Sequence, residues 1–415
     1  MLRTTIPFTL VIALAATLVG VDVAAAQTRI ERLTLDTAVA TALARNPTLQ
    51  AKALETQGLR ANEVTAGLVP NPTATYQAEQ LAARSLFPQH TVTVGQPIET
   101  GGKRRYRVES AQAATNVSRL EGVDLQRQVI FQVKKAFNDI LVAQATVALA
   151  AENLRSLDEV ERIQRIRADR GDISQLELVR LQVQRFTFER DAADARQAGE
   201  AARIVLKSIV GPESLAEQVE IIGTLDYREI PLDLEALRQR AVEARPDLRA
   251  AAAAAAKARA DVNLAKANAW WDFTPQLEYQ RVDGNNTFGA GISIPLRVFD
   301  RNQGEIARTQ AEVKRVDALR QAALLQALAD VDTAYSTIRL QRERVVVLRD
   351  TYLPKAEQAR QTVEYAYRRG GVSLLDYLDA QRTFRETALE HLRALGNFWL
   401  AVYQVEAAVG SPLEN

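Results

Sequence analysis

The sequence predicts a mainly α-helical chain with a small β part, one rod-like unit built twice in tandem. Three observations carry this. Helix formers dominate the 415 residues, while Gly (19) and Pro (13) are sparse. Markers recur about 199 residues apart: Leu35 with Leu234, Pro47 with Pro246, Gly171 with Gly370, and Gly211 with Gly410, with Pro97 and Pro295 one residue out of step. Between the helical stretches, short segments alternate with period two, most clearly FTPQLEYQRVDGNNTFGAGISIPLRVF at Phe273–Phe299.

The first segment is a processing signal. Arg3 gives a basic flank, Ile6–Val19 an apolar run, and Ala24-Ala25-Ala26 a cleavage site before Gln27, so residues 1–26 are expected to be removed on export. No cysteine follows, so the mature chain is expected not to be lipid-anchored. Residues 27–210 form the first copy, 211–233 a linker, and 234–415 the second.

Each copy reads alike. A short helix from Leu35 (Leu234) ends before Pro47 (Pro246), because the residue preceding proline disfavours helical geometry. A second helix runs to about Val69 (Trp270). Strands are expected at 73–81 and 90–98, and at 274–282 and 287–296, the second pair joined by Asp-Gly-Asn-Asn turn chemistry. A very long helix follows, from Lys103 to about Ala168 and from Asn302 to about Arg368, and Pro354 should kink the latter. Turns at Arg170-Gly171-Asp172 and Arg369-Gly370-Gly371 reverse the chain into a fourth helix ending near Val210 (Val409). At 1.5 Å per residue the long helix spans roughly 100 Å, about the summed length of the second and fourth, so these two can stack end to end beside it. Val133, Ile140, Val147 and Leu154 repeat in sevens, as do Val331, Ile338, Val345 and Tyr352, which implies coiled-coil packing. The other half of that seam, Phe137, Gln144, Ala151 and Asp158, is mixed.

The strands are about as long as a tilted membrane-spanning strand, ~9–11 residues. Leu277, Tyr279, Phe288, Ile292 and Ile294 make one face apolar, and the other is polar or glycine, as a water-filled barrel in lipid requires. Trp270, Trp271 and Phe273 lie at the helix-to-strand handover, suited to a membrane-interface aromatic belt. Four strands cannot close a barrel, which takes about eight, and an open edge is not tolerated in lipid. A membrane role therefore demands an oligomer, and a small soluble sheet capping a helical body is the alternative.

Composition excludes several classes. Lys+Arg (52) and Asp+Glu (51) balance, so no nucleic-acid partner is indicated. With no cysteine, Met1 alone as methionine, and only His90 and His391, no resident metal or cofactor is expected. No phosphate loop, nucleophile motif or zinc spacing is present, so no catalytic residue is assigned.

Signal, duplication, strand pairs and long helices together resemble the outer-membrane efflux protein (TolC) family over essentially the whole mature chain. QPIETGGKRRYRVESAQA at Gln96, IPLRVFDRNQGEIARTQAEV at Ile294 and LPKAEQARQTVEYAYRRGGVSLLDYLDAQRTF at Leu353 are similar to its CzcC-like heavy-metal members. The resemblance implies a homotrimer with a twelve-stranded β-barrel in the outer membrane of a Gram-negative bacterium and an α-barrel crossing the periplasm. It implies a passive exit duct for cations such as cobalt, zinc, cadmium, nickel or copper. Its partners would be a periplasmic adaptor, an inner-membrane resistance-nodulation-division pump and outer-membrane lipid. A duct for drugs or secreted protein is a second reading, and a non-pore coiled-coil adaptor or scaffold a third. The family's periplasmic gate falls on Tyr367, Asp376 and Asp379, with Glu177 opposite Asp376 in the first copy. Its adaptor-docking tips fall on Arg170, Gly171 and Asp172, and on Arg369, Gly370 and Gly371. The family often has an arginine after the tip glycine; Val372 stands there, leaving Arg368 and Arg369 as candidate substitutes.

Overall fold

The computed structural model describes residues 30–79, 81, 88–211 and 215–413. The processing signal lies outside the described residues. In order, the first copy holds β1 (Ile30–Leu33), α1 (Leu35–Arg45), α2 (Pro47–Ala66), β2 (Thr73–Glu79), β3 (Gln89–Gly95), α3 (Lys103–Asp169) and α4 (Gln175–Val210). After β4 (Leu215–Ile221), the second holds α5 (Leu234–Ala244), α6 (Pro246–Asn268), β5 (Thr274–Val282), β6 (Asn285–Ser293), α7 (Gln303–Val347), a π-turn (Leu348–Tyr352), α8 (Leu353–Arg368) and α9 (Leu374–Val409).

Local chemistry sets the boundaries. Thr34 caps α1 in a reciprocal box with Thr37, and Asn46 accepts from the Thr48 and Leu49 amides to start α2 behind Pro47. Gly211 and Gly410, at φ 101 and 80, end α4 and α9. Ahead of α3, Gly101 is doubly required. Its φ is +68, and a Cβ there would lie 2.8 Å from the Trp270 side chain.

The long and short helices form columns. α3 packs against α2 and α4 on one side and α6 and α9 on the other, while α7 takes α6 and α9, and α8 continues along α9. Thus α2 and α4 share one column and α6 and α9 another, both flanked by α3, with α7 and α8 as the last. Equivalent contacts close the junctions in each copy: Asn46 Nδ2 donates to Ile209 O (2.8 Å), and 199 residues on, Arg245 Nη1 donates to Ala408 O (3.1 Å). Where α9 crosses α3, Asn138 Nδ2 donates to Gly396 O, and a Cβ on Gly396 would meet Val142 at 2.5 Å.

The strands follow the same order. β2, β3, β5 and β6 form one antiparallel sheet, β2–β3–β5–β6, leaving β2 and β6 as open edges. A bridge between Ile98 and Phe273 extends it toward the helices.

Three expectations need correction. The segment after Gly211 is more than a linker, because β4 pairs in parallel with β1, and Leu33, Val219 and Ile221 join the core around Val133 and Phe137. The second half of the first seam is Val129, Ala136, Ala143, Ala150, Leu157 and Gln164, all buried, whereas Gln144, Ala151 and Asp158 face out. In the second copy the seam does not continue through Tyr352, which is 56% exposed. Val331, Ile338 and Val345 are followed instead by Leu353, Arg360 and Tyr367. That slip of one residue is the extra residue of the π-turn. Its cause is Pro354, which has no N–H for the Asp350 carbonyl and whose ring would clash with it in α geometry.

Candidate functional site

The helical tip is the site on which the sequence places most of its candidates. At each turn a glycine in the left-handed region closes the helix, Gly171 at φ 76 and Gly370 at φ 75, with open space where a Cβ would stand. The Asp172 amide bonds Arg167 O (2.9 Å) and the Gly371 amide bonds Ala366 O (2.9 Å). Arg170, Asp172 and Arg369 are exposed. Arg369 lies over the Tyr365 ring at 4.0 Å.

Behind the turns is a small core of Leu157, Val160, Leu181, Phe188, Tyr367, Leu374, Tyr377 and Leu378, against which Val372 packs. Tyr367 sits inside this core rather than facing open space, and the one-residue slip at the π-turn is what aims it there. Its ring stacks on Tyr377 (centroids 5.0 Å apart, 16° between planes), and its hydroxyl accepts from Gln164 Nε2. Burial, and secondarily Glu177, push the Tyr367 hydroxyl up to about 12, so it stays protonated. Tyr377 accepts from Gln381 Nε2 (3.0 Å). Arg385, in contact with the face of Phe188 (5.4 Å), pairs with Asp191 at 2.6 Å and ties α9 to α4.

Asp376 and Asp379 are both exposed at the start of α9. Asp376 completes a capping box: its carboxylate accepts from the Ser373 amide (3.0 Å) and hydroxyl (2.7 Å), and its own amide donates back to Ser373 Oγ (3.2 Å). These bonds hold its carboxyl below the ordinary value. Asp379 pairs with Arg382 at 2.7 Å. The partners of the two aspartates are thus Ser373 and Arg382, not Arg368 or Arg369. Arg368 pairs with Glu364 (2.6 Å) and Arg369 covers Tyr365. Glu177 occupies the same N3 position in α4, but Ser174 caps the Leu176 amide alone. Among the described residues no three His, Cys, Asp or Glu side chains gather to hold a metal ion, and no helix is long and apolar enough to cross a membrane.

At the opposite end, cross-strand register sorts the sheet into two faces. One carries the row Tyr76, Val92, Tyr279 and Phe288, and below it Ala74, Val94, Leu277 and Ala290. The other carries Thr75, Thr93, Glu278 and Gly289, then Gln77, Thr91, Gln280 and Thr287. Leu277 (70% exposed) and Phe288 (82%) point away from the chain. The apolar/polar alternation of the second hairpin thus extends over the first. Trp270 and Trp271 are exposed at the helical margin, Phe273 is half-buried, and Lys103 Nζ fixes the corner by donating to Trp270 O (2.8 Å) and Asp272 Oδ2 (2.6 Å). Sequence reasoning put Tyr279 and Phe288 on the apolar face but missed that Tyr76 joins them in a second aromatic row. The signal lay in the pairing of β2 with β3 and β5 with β6, which no single strand displays.

A chain with four helical columns, four strands in matching order, an open edge on each side of the sheet and an apolar sheet face has the parts of a membrane-channel subunit. The model of the outer membrane efflux protein family matches residues 38–212 and again 237–411, and the chain belongs to that family, whose members are channels and not enzymes. It is 26% identical over 382 residues to the cobalt-zinc-cadmium resistance protein CzcC of Cupriavidus metallidurans, covering 91% of this chain and 90% of that one. It is 25% identical over 329 residues to the pyoverdine export outer membrane protein OpmQ of Pseudomonas putida, covering 74% and 66%. Among solved structures, the outer-membrane channel OprN superposes with a TM-score of 0.74 at 20% identity, over 93% of this chain and 94% of that one.

Proposed function

We propose that three copies of this chain form the outer-membrane exit duct of a tripartite resistance-nodulation-division efflux system that expels heavy-metal cations. In this reading the pump and a periplasmic adaptor supply energy and selection, and the chain supplies a passive conduit across the periplasm and outer membrane. The observation that carries the metal assignment is the end-to-end likeness to a cobalt-zinc-cadmium resistance protein, which exceeds in coverage the likeness to a pyoverdine exporter. Oligomerisation is supported by the edges. β2 and β6 each leave one edge unpaired, and the outermost helices carry exposed apolar stripes, Leu176, Val179, Val183 and Phe186 on α4 and Leu340 and Val347 on α7. Different surfaces on the two edges suit head-to-tail closure into a ring. At the tip, Asp376 and Asp379 would ring the entrance, with the Arg170–Asp172 and Arg369–Gly371 turns offered to the adaptor.

A deletion strain tests the assignment. We expect lowered tolerance to cobalt, zinc or cadmium, restored by the wild-type gene, with drug tolerance unchanged. Unaltered metal tolerance beside raised drug or siderophore-export defects would favour the second reading, a duct for organic cargo, which the pyoverdine exporter supports.

A further inference from the structure

The distal end of the apolar sheet face carries a row of nitrogen donors. Directly above Tyr76, Tyr279 and Phe288, on the side away from the helices, the register sets His90 of β3 opposite Arg281 of β5, and Arg281 opposite Asn286 of β6. Paired positions on neighbouring strands lie about 5 Å apart, so the three side chains stand side by side on the same face as the aromatic row. The row below orients two of them. The Tyr76 hydroxyl and His90 Nδ1 are 2.8 Å apart with the rings stacked; with the hydroxyl donating, the imidazole proton sits on Nε2. Tyr279 donates to Asn286 Oδ1 (2.8 Å), which satisfies the acceptor and leaves the Nδ2 donors free. Arg281 is exposed, and among the described residues its guanidinium has no hydrogen-bond or ion-pair partner. Of the nearby acidic side chains, Glu278 is on the other face by register, and Asp283, in the turn two residues beyond Arg281, makes no ion pair with it among the described residues.

We propose that His90, Arg281 and Asn286 form a subsite for the phosphate of a phosphorylated glycolipid in the outer leaflet. The proposal rests on the channel reading above, which sets this sheet face against lipid. An aromatic row marks the interface between acyl chains and headgroups, and the donor row lies one step beyond it, at headgroup height. A guanidinium binds phosphate oxygens in pairs, and the flanking imidazole and amide N–H groups take the oxygens on either side. Facing lipid, an unpaired guanidinium is costly unless an anion meets it, and a lipid phosphate is the anion that membrane geometry presents there.

The test uses the full mature chain purified in detergent, with retained lipid measured by native mass spectrometry. Diphosphoryl lipid A is the probe, against dephosphorylated lipid A and inorganic phosphate. Wild type should hold diphosphoryl lipid A at least about tenfold more tightly than the dephosphorylated form, and millimolar inorganic phosphate should not displace it. Arg281→Gln should lose about tenfold of that affinity, with His90→Leu weaker in effect, while oligomeric state and conductance persist. Equal retention of the two lipid A forms, or an Arg281→Gln variant that binds as wild type does, overturns the subsite and leaves the channel reading intact. Failure of the wild-type chain to form a detergent-dependent oligomer overturns both.

Discussion

Channels carrying Asp376→Asn with Asp379→Ala should lose cation preference and conduct anions more readily in planar bilayers. Asp376 is ionised at neutral pH as an ordinary aspartate is, and the Ser373 hydroxyl and amide hold its carboxyl lower still. Asp379 is only lightly compensated. Its pair with Arg382 is open to water, with the side chains 61% and 57% exposed, and such pairs contribute little. An ion passing ~6 Å from one carboxylate in water feels about 0.7 kcal/mol, about a threefold change in local concentration. Repeated around a symmetric entrance, the effect on the cation-to-anion permeability ratio should be at least about threefold. Asparagine is chosen at Asp376 because its side-chain oxygen can still accept from Ser373; alanine would also remove the N3 half of the capping box and confuse stability with selectivity. An unchanged permeability ratio would take both residues out of the gate.

Arg245→Ala should be the most destabilising single change outside the helix crossings. Its side chain is 4% exposed and pairs with Asp247 (2.6 Å) and Asp330 (3.0 Å), while also donating to Ala408 O at the junction of α6 with α9. Truncation strands two carboxylates and a carbonyl. Because both aspartates keep some water, we expect about 3 kcal/mol, the lower end for breaking a buried pair, read as a fall in the midpoint of thermal or denaturant unfolding. The equivalent residue in the first copy, Asn46, carries no charge and leaves only neutral groups behind, so Asn46→Ala should cost about 1 kcal/mol. The pH dependence has a definite sign. Burial alone would raise Asp247, but the hydrogen bond and charge of Arg245 outweigh it, and the carboxyl lies below its ordinary value. Its contribution is present above the unfolded-state pKa, about 3.9, and is lost as pH falls through the lower folded value. Arg245→Ala should flatten that acid limb. An acid limb identical to wild type would contradict the pairing.

Local signals were legible in the sequence, and pairings were not. Gly211 and Gly410 end their helices at Val210 and Val409 as read, because a left-handed terminal residue is a one-position property. β5 falls on Thr274–Val282 as read, from its alternation alone. Pro354 announced a disturbance, but whether a helix answers proline with a kink or a π-turn depends on what it packs against. The consequence, burial of Tyr367 and exposure of Tyr352, could not be read from sevens. β1 is four residues long and pairs with a strand that begins at Leu215, too short and too distant for periodicity to find. Likewise, Gln164 meeting Tyr367 and His90 meeting Arg281 are products of register between segments about two hundred residues apart.

Formation of a hollow duct by this chain is tested most directly by single-channel recording with the purified mature chain, its oligomeric mass determined in the same detergent. We expect a detergent-dependent particle of three chains that gives discrete, cation-preferring conductance steps. A monomer that stays soluble without detergent and gives no steps at any voltage would contradict it.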